Sequence, residues 1–428
     1  MKNNKNYRGE ETHHVSSDVK GANLSQVLKH SALVLNALVS GTTLTQSFLE
    51  LPKDLRSAVQ SFTFTTLRHK ATLLRVVYHF LQKEPDLEIE NLLLVSASTL
   101  LPESPNKYEA YTLVNEAVKA STQSVKTQYA KGMVNAILRR CLENPGLFEK
   151  PLKDDIDYYP RWWIKRLKKS FPKEWSNILE VNLNEPGLYL RVNTTKISKT
   201  AYEQLLLDHK IDTVEIPPQY SRLAPQAIRL AHSLPVQQLP GYGEGLFSVQ
   251  DLGAQFAAKL LPFTEKQRVL DACCAPGGKT THLLELADIH LTGLEIDVSR
   301  MLRVKENLNR LQLSANLLEG DASDTKSWWD GEMYDAILAD VPCSASGIVR
   351  RHPDILELRR DEDFQPLTIL QKKILGNLWA TLKPGGFLLY VTCSIFPEEG
   401  ENQCQWLMKN YTDAIRLESL GQLLPNQW

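Results

Sequence analysis

The stretch RVLDACCAPGGKTTHLLELA, residues 268–287, decides the fold of the C-terminal part of this 428-residue chain. Its first five residues form a mainly apolar run that predicts a buried strand, and the residues from Lys279 onward have the pattern of a helix. Gly277 and Gly278, between the two, allow positive φ angles and a close approach of a ligand to the backbone. The first amides of a helix have no partner within it. The stretch therefore predicts a ligand-binding loop between a strand and a helix.

Three kinds of nucleotide-binding loop compete for this pattern. A P-loop requires glycine at the position of Cys273, which argues against it although Gly278-Lys279-Thr280 fits the end of that motif. A dinucleotide-binding loop requires G-x-G-x-x-G, which is absent. A loop for an adenosine-type cofactor remains, and such a site needs a carboxylate at the end of the second strand to hold the ribose hydroxyls.

Strands and helices alternate from about residue 240, which predicts a parallel sheet with helices on both faces and ligands at the carboxyl ends of its strands. Glu295 ends the second strand, with Asp297 two residues on, and Asp321 follows the third strand, where it can accept from an adenine amino group. Any one of these acids alone is typical of a surface residue or a helix cap. Together they predict S-adenosylmethionine as the cofactor. The strand candidates are Arg268–Ala272, His290–Glu295, Asn316–Glu319, Tyr334–Ala339 and Gly386–Val391.

Two of the six cysteines lie just past strand ends, and each precedes a serine: Cys343 in DVPCSAS and Cys393 in YVTCSIF. The alternative is that both are small buried residues without chemistry, which is the interpretation we give to Cys141 and Cys404 on predicted helices. The cysteines form no C-x-x-C pair and have no histidine cluster nearby, so we expect no metal site.

The sequence upstream predicts two further domains, so the chain is expected to be multidomain. Residues 21–148 contain helix after helix and no strand signal, which predicts an all-α bundle. Residues 149–238 are rich in proline and aromatic residues, and the strand-like LYLRVNTT (188–195) followed by a helix at 200–210 predicts a small α+β linker domain. The α/β domain occupies 239–428, and the polar residues 1–20 are expected to be disordered.

The net charge of −1 means that any nucleic-acid binding must come from local basic patches. The segment RWWIKRLKK (161–169) combines tryptophans with Arg161, Lys165, Arg166 and Lys169, which suits an RNA backbone and unstacked bases. The alternative is that the tryptophans belong to the core and the lysines solvate the opposite face. Arg350 and Arg351 follow Cys343 closely and are candidates for phosphate contacts, or part of a solvated loop.

The N-terminal sequence is not that of a signal peptide, and no apolar run approaches the roughly 18 residues that span a bilayer. We therefore expect a cytoplasmic protein without a membrane partner, and a monomer.

Three motifs, CCAPGGKTTHLLE, DVPCSASGIVRRHPDI and YVTCSIFPEEGENQ, resemble those of the RNA 5-methylcytosine methyltransferases, and most closely the members that act on bacterial 16S ribosomal RNA. The helical part, with VNEAVKAS and GMVNAILRR, resembles the NusB-like RNA-binding domain of that family. The resemblance implies a Rossmann-like class I methyltransferase domain, S-adenosylmethionine as cofactor and 16S ribosomal RNA as partner. It implies cofactor contacts from Cys273, Cys274, Ala275, Pro276, Gly277, Gly278, Lys279, Glu295, Asp321 and Asp340.

The family chemistry gives the two cysteines different tasks. A thiolate that adds to C6 of cytosine activates C5 for methylation, which is covalent catalysis. The residues alone leave open which cysteine attacks, and the Pro-Cys motif of DNA methyltransferases would favour Cys343. The resemblance to the RNA enzymes implies that Cys393 attacks and Cys343 assists release. Asp340 is the candidate for protonating or hydrogen-bonding N3, with Lys279 as the group that positions it and lowers the pKa of the attacking thiol.

The chain departs from the family pattern after its last acidic helix. DAIRLESL (413–420) is expected to supply one closing strand, and the final strand is absent, so we expect exposed sheet edges and a less stable domain. Two other functions stay open: a non-catalytic RNA-binding assembly factor, and a methyltransferase that acts on a small molecule or a protein.

Overall fold

The computed structural model describes residues 23–149 and 152–425, which fold as two compact units. One unit comprises the described residues up to Ile164 together with Leu356–Leu358, and the other comprises Lys165–Ile355 and the described residues from Arg359 onward. The disordered tail predicted at 1–20 lies outside the described residues.

The first unit is a helical bundle, as the apolar periodicity predicts. Asn23 caps the N-terminus of α1, and its side-chain oxygen accepts from the amide of Ser25 at 3.1 Å. α5 lies in the centre of the bundle, and every residue from Asn91 to Ser98 is buried, because its surface is apolar or small all round. The helices are α1 (Leu24–Val39), α2 (Leu44–Leu49), α3 (Lys53–Arg68), α4 (Lys70–Phe80), α5 (Leu87–Ser98), α6 (Ala110–Thr122) and α7 (Lys131–Glu143).

The second unit contains a four-stranded antiparallel sheet with the strand order β2-β3-β1-β4. Leu190 in β1 pairs with Ile228 on one side and with Val249 on the other. The fourth strand therefore comes from beyond residue 238, the predicted end of the linker domain. The elements are α8 (Arg161–Ser170), which begins in the first unit, α9 (Trp175–Leu183), β1 (Tyr189–Val192), α10 (Lys199–Asp208), β2 (Thr213–Val214), α11 (Pro218–Ser221), β3 (Ala227–Leu230) and β4 (Phe247–Val249).

A five-stranded parallel sheet of order β7-β6-β5-β8-β9 follows, with helices between its strands. Its inner strands are buried, including Val269–Ala272 and Ala336–Ala339, which explains why they are nearly continuous apolar runs in the sequence. The elements are α12 (Leu252–Leu260), β5 (Arg268–Ala272), α13 (Gly278–Leu286), β6 (His290–Glu295), α14 (Val298–Leu311), β7 (Asn316–Glu319), β8 (Tyr334–Asp340), α15 (Ile355–Leu358), α16 (Phe364–Thr381), β9 (Leu382–Val391) and α17 (Glu401–Asn410). All but the first residue of α15 belong to the first unit.

The strand order reverses at β5, because β6 and β7 lie on one side of it and β8 and β9 on the other. In such sheets the carboxyl ends at the reversal open a crevice for ligands. β8 and β9 run side by side, and Asp340 pairs with Val391 at their ends. The loops that carry Cys343 and Cys393 therefore leave the sheet at the same level.

The expectation of a strand at 413–420 is wrong. Residues 392–425 contribute no strand, and β9 forms an edge of the sheet. The segment runs along the surface instead: Ile415 is 83% exposed, and Arg416 binds both carboxylate oxygens of Glu401 at 2.8 Å. A strand needs a backbone partner and a buried side-chain face, and this segment has an exposed ion pair in their place.

Within the part of the chain that the structure describes, no helix is both long enough and apolar enough to cross a membrane.

Candidate active site

The loop between β5 and α13 turns through two left-handed residues, Cys273 with φ 64° and Gly277 with φ 97°. A Cβ atom on Gly277 would lie 3.2 Å from the Cα atom of Val304 in α14, so the position needs glycine for both space and conformation. α13 begins directly afterwards, at Gly278. The loop thus brings backbone groups and a helix N-terminus to the carboxyl end of β5.

Carboxylates hold this loop from the neighbouring strand ends. Glu295, at the end of β6, is buried and accepts from the amides of Ala275 at 3.2 Å and Asp297 at 3.1 Å. Asp297 caps α14 by accepting from the amide of Ser299 at 2.8 Å. Hydrogen bonding from Ser299 lowers the pKa of Asp297. Two amides occupy only part of the acceptor capacity of the Glu295 carboxylate, so it can still accept from a ligand hydroxyl.

Asp321 follows β7 and folds back on its own turn. Its carboxylate accepts from the amide of Ser323 at 2.8 Å and from the hydroxyl of Ser323 at 2.9 Å. Trp328 donates from its ring nitrogen to the Asp321 carbonyl at 2.9 Å. These bonds fix the carboxylate at the third strand end in the row.

The thiols of Cys273 and Cys274 in this loop are poor nucleophiles. Burial raises the pKa of Cys273 to about 12 and raises that of Cys274 further. Asp271, at the end of β5, is wholly buried and accepts from the hydroxyl of Thr280 at 2.7 Å, and burial raises its pKa to about 7. Any ligand contact from Cys273 and Cys274 is therefore one of shape and backbone, because both stay protonated near neutral pH.

Lys279 and Asp340 form an ion pair at the crevice, with 2.6 Å between Nζ and Oδ2. Burial lowers the pKa of Lys279, but the Asp340 carboxylate outweighs this effect and the net pKa is raised. The lysine therefore carries its charge throughout the physiological range. The pair joins the first turn of α13 to the end of β8, across the point where the strand order reverses.

The two cysteines of the strand-end loops meet, with 3.4 Å between their sulfur atoms. Cys343 is buried and Cys393 is exposed. A hydrogen bond from the Cys343 thiol lowers the pKa of Cys393, and the charge of Lys279 acts in the same direction against the partial desolvation of the sulfur and the charge of Asp340. The same sulfur contact, with burial, raises the pKa of Cys343. The accessible sulfur is thus the more acidic one.

Comparisons with known proteins agree with this arrangement. The sequence profile of the 16S rRNA methyltransferase RsmB/F family matches residues 258–423, that of its ferredoxin-like domain matches 159–237, and that of the NusB family matches 22–143. Ribosomal RNA small subunit methyltransferase B of Pseudomonas putida is 40% identical over 382 residues, covering 86% of each chain. The enzyme of the same name from Pasteurella multocida is 42% identical over 336 residues, covering 77% of this chain and 73% of that one.

The chain belongs to the 16S rRNA methyltransferase RsmB/F family. A solved structure of a methyltransferase homologue from Pyrococcus horikoshii is 27% identical and covers 59% of this chain and 79% of that one, with a TM-score of 0.52. The NusB-like bundle, the ferredoxin-like domain and the parallel-sheet methyltransferase domain confirm the predicted fold class.

The residues of this RsmB/F chain fit S-adenosylmethionine. The cradle between β5 and α13 tolerates no side chain at Gly277, and Glu295, Asp321 and Asp340 stand at successive strand ends. Carboxylates in this row can bind ribose hydroxyls and an amino group. In the described residues, no group of three or more histidine, cysteine or acidic side chains could hold a metal ion.

The sequence analysis missed Arg191, which lies fully buried in β1 and holds α13 of the cofactor loop. Its guanidinium binds both oxygens of Glu285, at 3.0 and 2.8 Å, and donates to the Gly278 carbonyl at 2.7 Å and to the Thr281 hydroxyl at 3.0 Å. A signal was present, since an arginine inside the apolar run LYLRV must find a buried partner.

The basic residues proposed for RNA divide into two groups. Arg161, Lys165 and Lys169 are exposed on α8. Arg166 is bound to Asp361 and Glu398 and lies over the ring of Phe364, 3.8 Å from its centroid.

The pair after Cys343 is also engaged within the protein. Arg351 donates to the Gly187 carbonyl at 3.0 Å and to Asp251 at 2.7 Å. Arg350 is half-buried, and burial lowers its pKa. These contacts give Arg166 and Arg351 structural partners inside the second unit.

Proposed function

We propose that this protein transfers a methyl group from S-adenosylmethionine to C5 of a cytosine in 16S ribosomal RNA, with Cys393 as the nucleophile. The contact between the Cys393 and Cys343 sulfurs beside the Lys279–Asp340 pair carries the proposal. The names of the relatives in Pseudomonas putida and Pasteurella multocida support the RNA substrate. A methyltransferase for small molecules or proteins would need neither the second cysteine nor the NusB-like domain.

The cofactor site in this proposal is the row of strand ends. The backbone of residues 273–278 borders it, Glu295 accepts from the ribose hydroxyls, and Asp321 accepts from the adenine amino group. When bound, S-adenosylmethionine supplies an electrophilic methyl group. Asp340 at the end of β8 contacts Lys279. In the proposal, this pair lies on the side of the cofactor site that faces the cysteines.

Cys393 starts the reaction because C5 of cytosine is a poor nucleophile. Its thiolate forms a bond to C6, and the π electrons of the C5–C6 bond become available at C5. Asp340 hydrogen-bonds the ring at N3, and the Lys279 ammonium group, 2.6 Å away, positions the carboxyl and can supply its proton. The lowered pKa of Cys393 supports its role, since the thiolate is the reactive form.

Cys343 completes the reaction after C5 has been methylated. The C5 proton must leave so that the ring π bond re-forms and the Cys393–C6 bond breaks. The Cys393 hydrogen bond is the largest cause of the raised pKa of Cys343. That cause disappears once the Cys393 sulfur is bonded to C6, so the pKa of Cys343 falls. The Cys343 thiol can then lose its own proton to water, and the resulting thiolate takes up the C5 proton.

The test is a trapping experiment with S-adenosylmethionine and 16S RNA. Cys343→Ala is expected to accumulate a protein–RNA adduct that survives denaturation, because release is blocked, and Cys393→Ala is expected to form none. Cys404→Ala, which changes a cysteine on α17, is the matched control and should turn over normally with 5-methylcytidine as product.

The opposite pattern, with an adduct in Cys393→Ala alone, would reverse the two roles. Methylated RNA without 5-methylcytidine would reject the C5 assignment. A chain that binds RNA but neither binds the cofactor nor methylates would favour the RNA-binding assembly factor.

A further inference from the structure

Glu399 is a buried carboxylate that joins the two cysteine loops. It lies in a short turn, Pro397–Glu399, that follows the Cys393 loop, and its side chain reaches the loop of Cys343. Ser344, the residue after Cys343, donates to it twice: from the amide to Oε1 at 2.8 Å and from the hydroxyl to Oε2 at 2.6 Å. Gln371 of α16 adds a third donor at 3.0 Å.

Other hydrogen bonds link the same two loops beside each cysteine. The amide of Gly347 donates to the Cys393 carbonyl at 2.8 Å, and the amide of Ile395 donates to the hydroxyl of Ser346 at 3.0 Å. The Ser346 hydroxyl also contacts that of Ser394 at 2.9 Å. A Cβ atom on Gly347 would lie only 2.7 Å from the Cys393 carbonyl oxygen, so the two backbones approach as closely as glycine allows.

The donors that Glu399 accepts from are neutral groups, an amide, a hydroxyl and a carboxamide. A buried carboxylate is expensive to desolvate, and these hydrogen bonds stabilise its charge without cancelling it. The negative charge of Glu399 therefore acts on neighbouring groups. Cys343 is one of them, because it directly precedes Ser344, whose hydroxyl makes the shortest contact with Glu399. Glu399 is one of the causes that raise the pKa of Cys343, after the Cys393 contact and burial.

We propose that Glu399 is a positioning residue for the methyltransferase reaction: it holds the Cys343 loop against the Cys393 loop and, by its charge, fixes Cys393 as the sulfur that attacks. The inference rests on the function proposed above for the two cysteines. The contact of the two sulfurs is symmetric in itself, since either atom can donate. The burial of Cys343, the charge of Glu399 on the Cys343 side and the charge of Lys279 on the Cys393 side break that symmetry.

The remaining charged and titratable groups around the pair do not replace this effect. Asp340 faces Cys393 and opposes its ionisation, but is itself paired with Lys279. Arg359 donates to the carbonyls of Ser344 and Cys343, at 3.3 and 3.5 Å. Tyr390 donates to the Glu399 carbonyl at 2.6 Å, and burial raises its pKa. Cys404 also stays protonated, because burial raises its pKa.

The experiment measures the thiol titration of Cys343 without RNA or cofactor, so its outcome does not depend on the proposed reaction. Cys393→Ala is the background, because it removes the sulfur contact. Alkylation of Cys343 by iodoacetamide is followed against pH by peptide mass spectrometry. Adding Glu399→Gln should lower the alkylation midpoint by about one pH unit, which is about tenfold more thiolate at neutral pH. Glu398→Gln, which changes the neighbouring carboxylate that binds Arg166, is the control and should leave the midpoint unchanged.

An equal midpoint in Glu399→Gln and Glu398→Gln would overturn the electrostatic part of the inference. In the Cys393→Ala background, which alone is expected to form no RNA adduct, adding Glu399→Gln should allow an adduct on Cys343, whereas a continued absence of adduct would contradict the assignment. Ser344→Ala tests the positioning part should Glu399→Gln not fold. It keeps the charge and removes the 2.6 Å contact, so kcat should fall about tenfold with an unchanged KM and an unchanged Cys343 midpoint. An unaltered kcat would refute the positioning role.

Discussion

The buried pair of Arg191 and Glu285 allows a quantitative test of how the cofactor loop is supported. Both side chains have no exposed surface, and the guanidinium binds the carboxylate through two hydrogen bonds. Arg191→Met would leave Glu285 as a buried charge without its cation. Removing one partner of a buried ion pair typically destabilises a protein by about 3–5 kcal/mol. We expect that loss in the free energy of unfolding of the second unit.

The double variant Arg191→Met/Glu285→Met decides whether the uncompensated charge is the cause. Replacing both partners by apolar residues of similar volume is often nearly neutral. Here the Gly278 carbonyl, the Thr281 hydroxyl and the side-chain oxygen of Gln250 would still lose a donor, which costs about 1 kcal/mol each. The double variant should therefore recover about 1–2 kcal/mol of the loss in Arg191→Met.

Urea denaturation followed by tryptophan fluorescence is the assay, with Arg268→Met as the matched control. Arg268 pairs with the exposed acids Asp330 and Glu332, and such surface pairs contribute about 0–1 kcal/mol. Two results would refute the reasoning. One is a loss in Arg191→Met no larger than that in Arg268→Met. The other is a loss in the double variant Arg191→Met/Glu285→Met that is no smaller than the loss in Arg191→Met.

Three further predictions follow from the site and the sheet edge. Burial raises the pKa of Asp271 to about 7, so the folded state holds a proton that the unfolded state releases above pH ~4, and the free energy of unfolding falls by up to ~4 kcal/mol as pH rises from 4 through 7. Urea denaturation at pH 5 and pH 8 should show this dependence in unmodified protein and not in Asp271→Asn; an equal dependence in both would count against it. Gly277→Ala meets Val304 and a left-handed backbone that costs about 1–2 kcal/mol, so calorimetry should find S-adenosylmethionine bound about tenfold more weakly, while Gly146→Ala, which points into open space, binds as before. A version extended by a Gly/Phe-rich strand beside β9 should melt at a higher temperature, because the added strand would cover Phe387 of β9, which is 38% exposed. Equal melting temperatures would contradict this.

The sheet of the methyltransferase domain could be predicted from sequence because its inner strands are buried and therefore read as apolar runs, and each outer strand follows the same alternation with helices. β5, β6 and β7 begin and end at the residues that the apolar runs indicated, and β8 differs only by including Asp340. The meeting of Cys343 and Cys393 could likewise be anticipated, since adjacent parallel strands end at the same edge of a sheet. The same reasoning was wrong for the segment 413–420. Alternating apolar residues form a strand only where a neighbouring strand provides backbone hydrogen bonds and a buried face.

Long-range partners could not be predicted. Arg191 and Glu285 are separated by 94 residues, and Ser344 and Glu399 by 55, and a single sequence does not tell which acid a buried base or hydroxyl will meet. The wrong expectation for Arg166 and Arg351 has the same cause, because their partners are also distant in the sequence. Both look like RNA contacts in a basic segment, yet Arg166 stacks on Phe364 and binds two carboxylates, and Arg351 binds Asp251. Charge and spacing indicate that a cation is present, and only the fold says whether its partner is internal.

In the proposed reaction, the role of a buried carboxylate at Glu399 follows from the close contact of the two cysteines. Two thiols 3.4 Å apart at equivalent strand ends would share one proton, and either sulfur could become the thiolate. An enzyme with two exchangeable nucleophiles would form adducts from which neither sulfur is reserved to release the product. The burial of Cys343 and the charge of Lys279 both favour a thiolate on Cys393, but Asp340 offsets part of the Lys279 charge. A fixed negative charge behind Cys343 acts on the other member of the pair, and because its donors are neutral, it keeps its effect throughout the reaction.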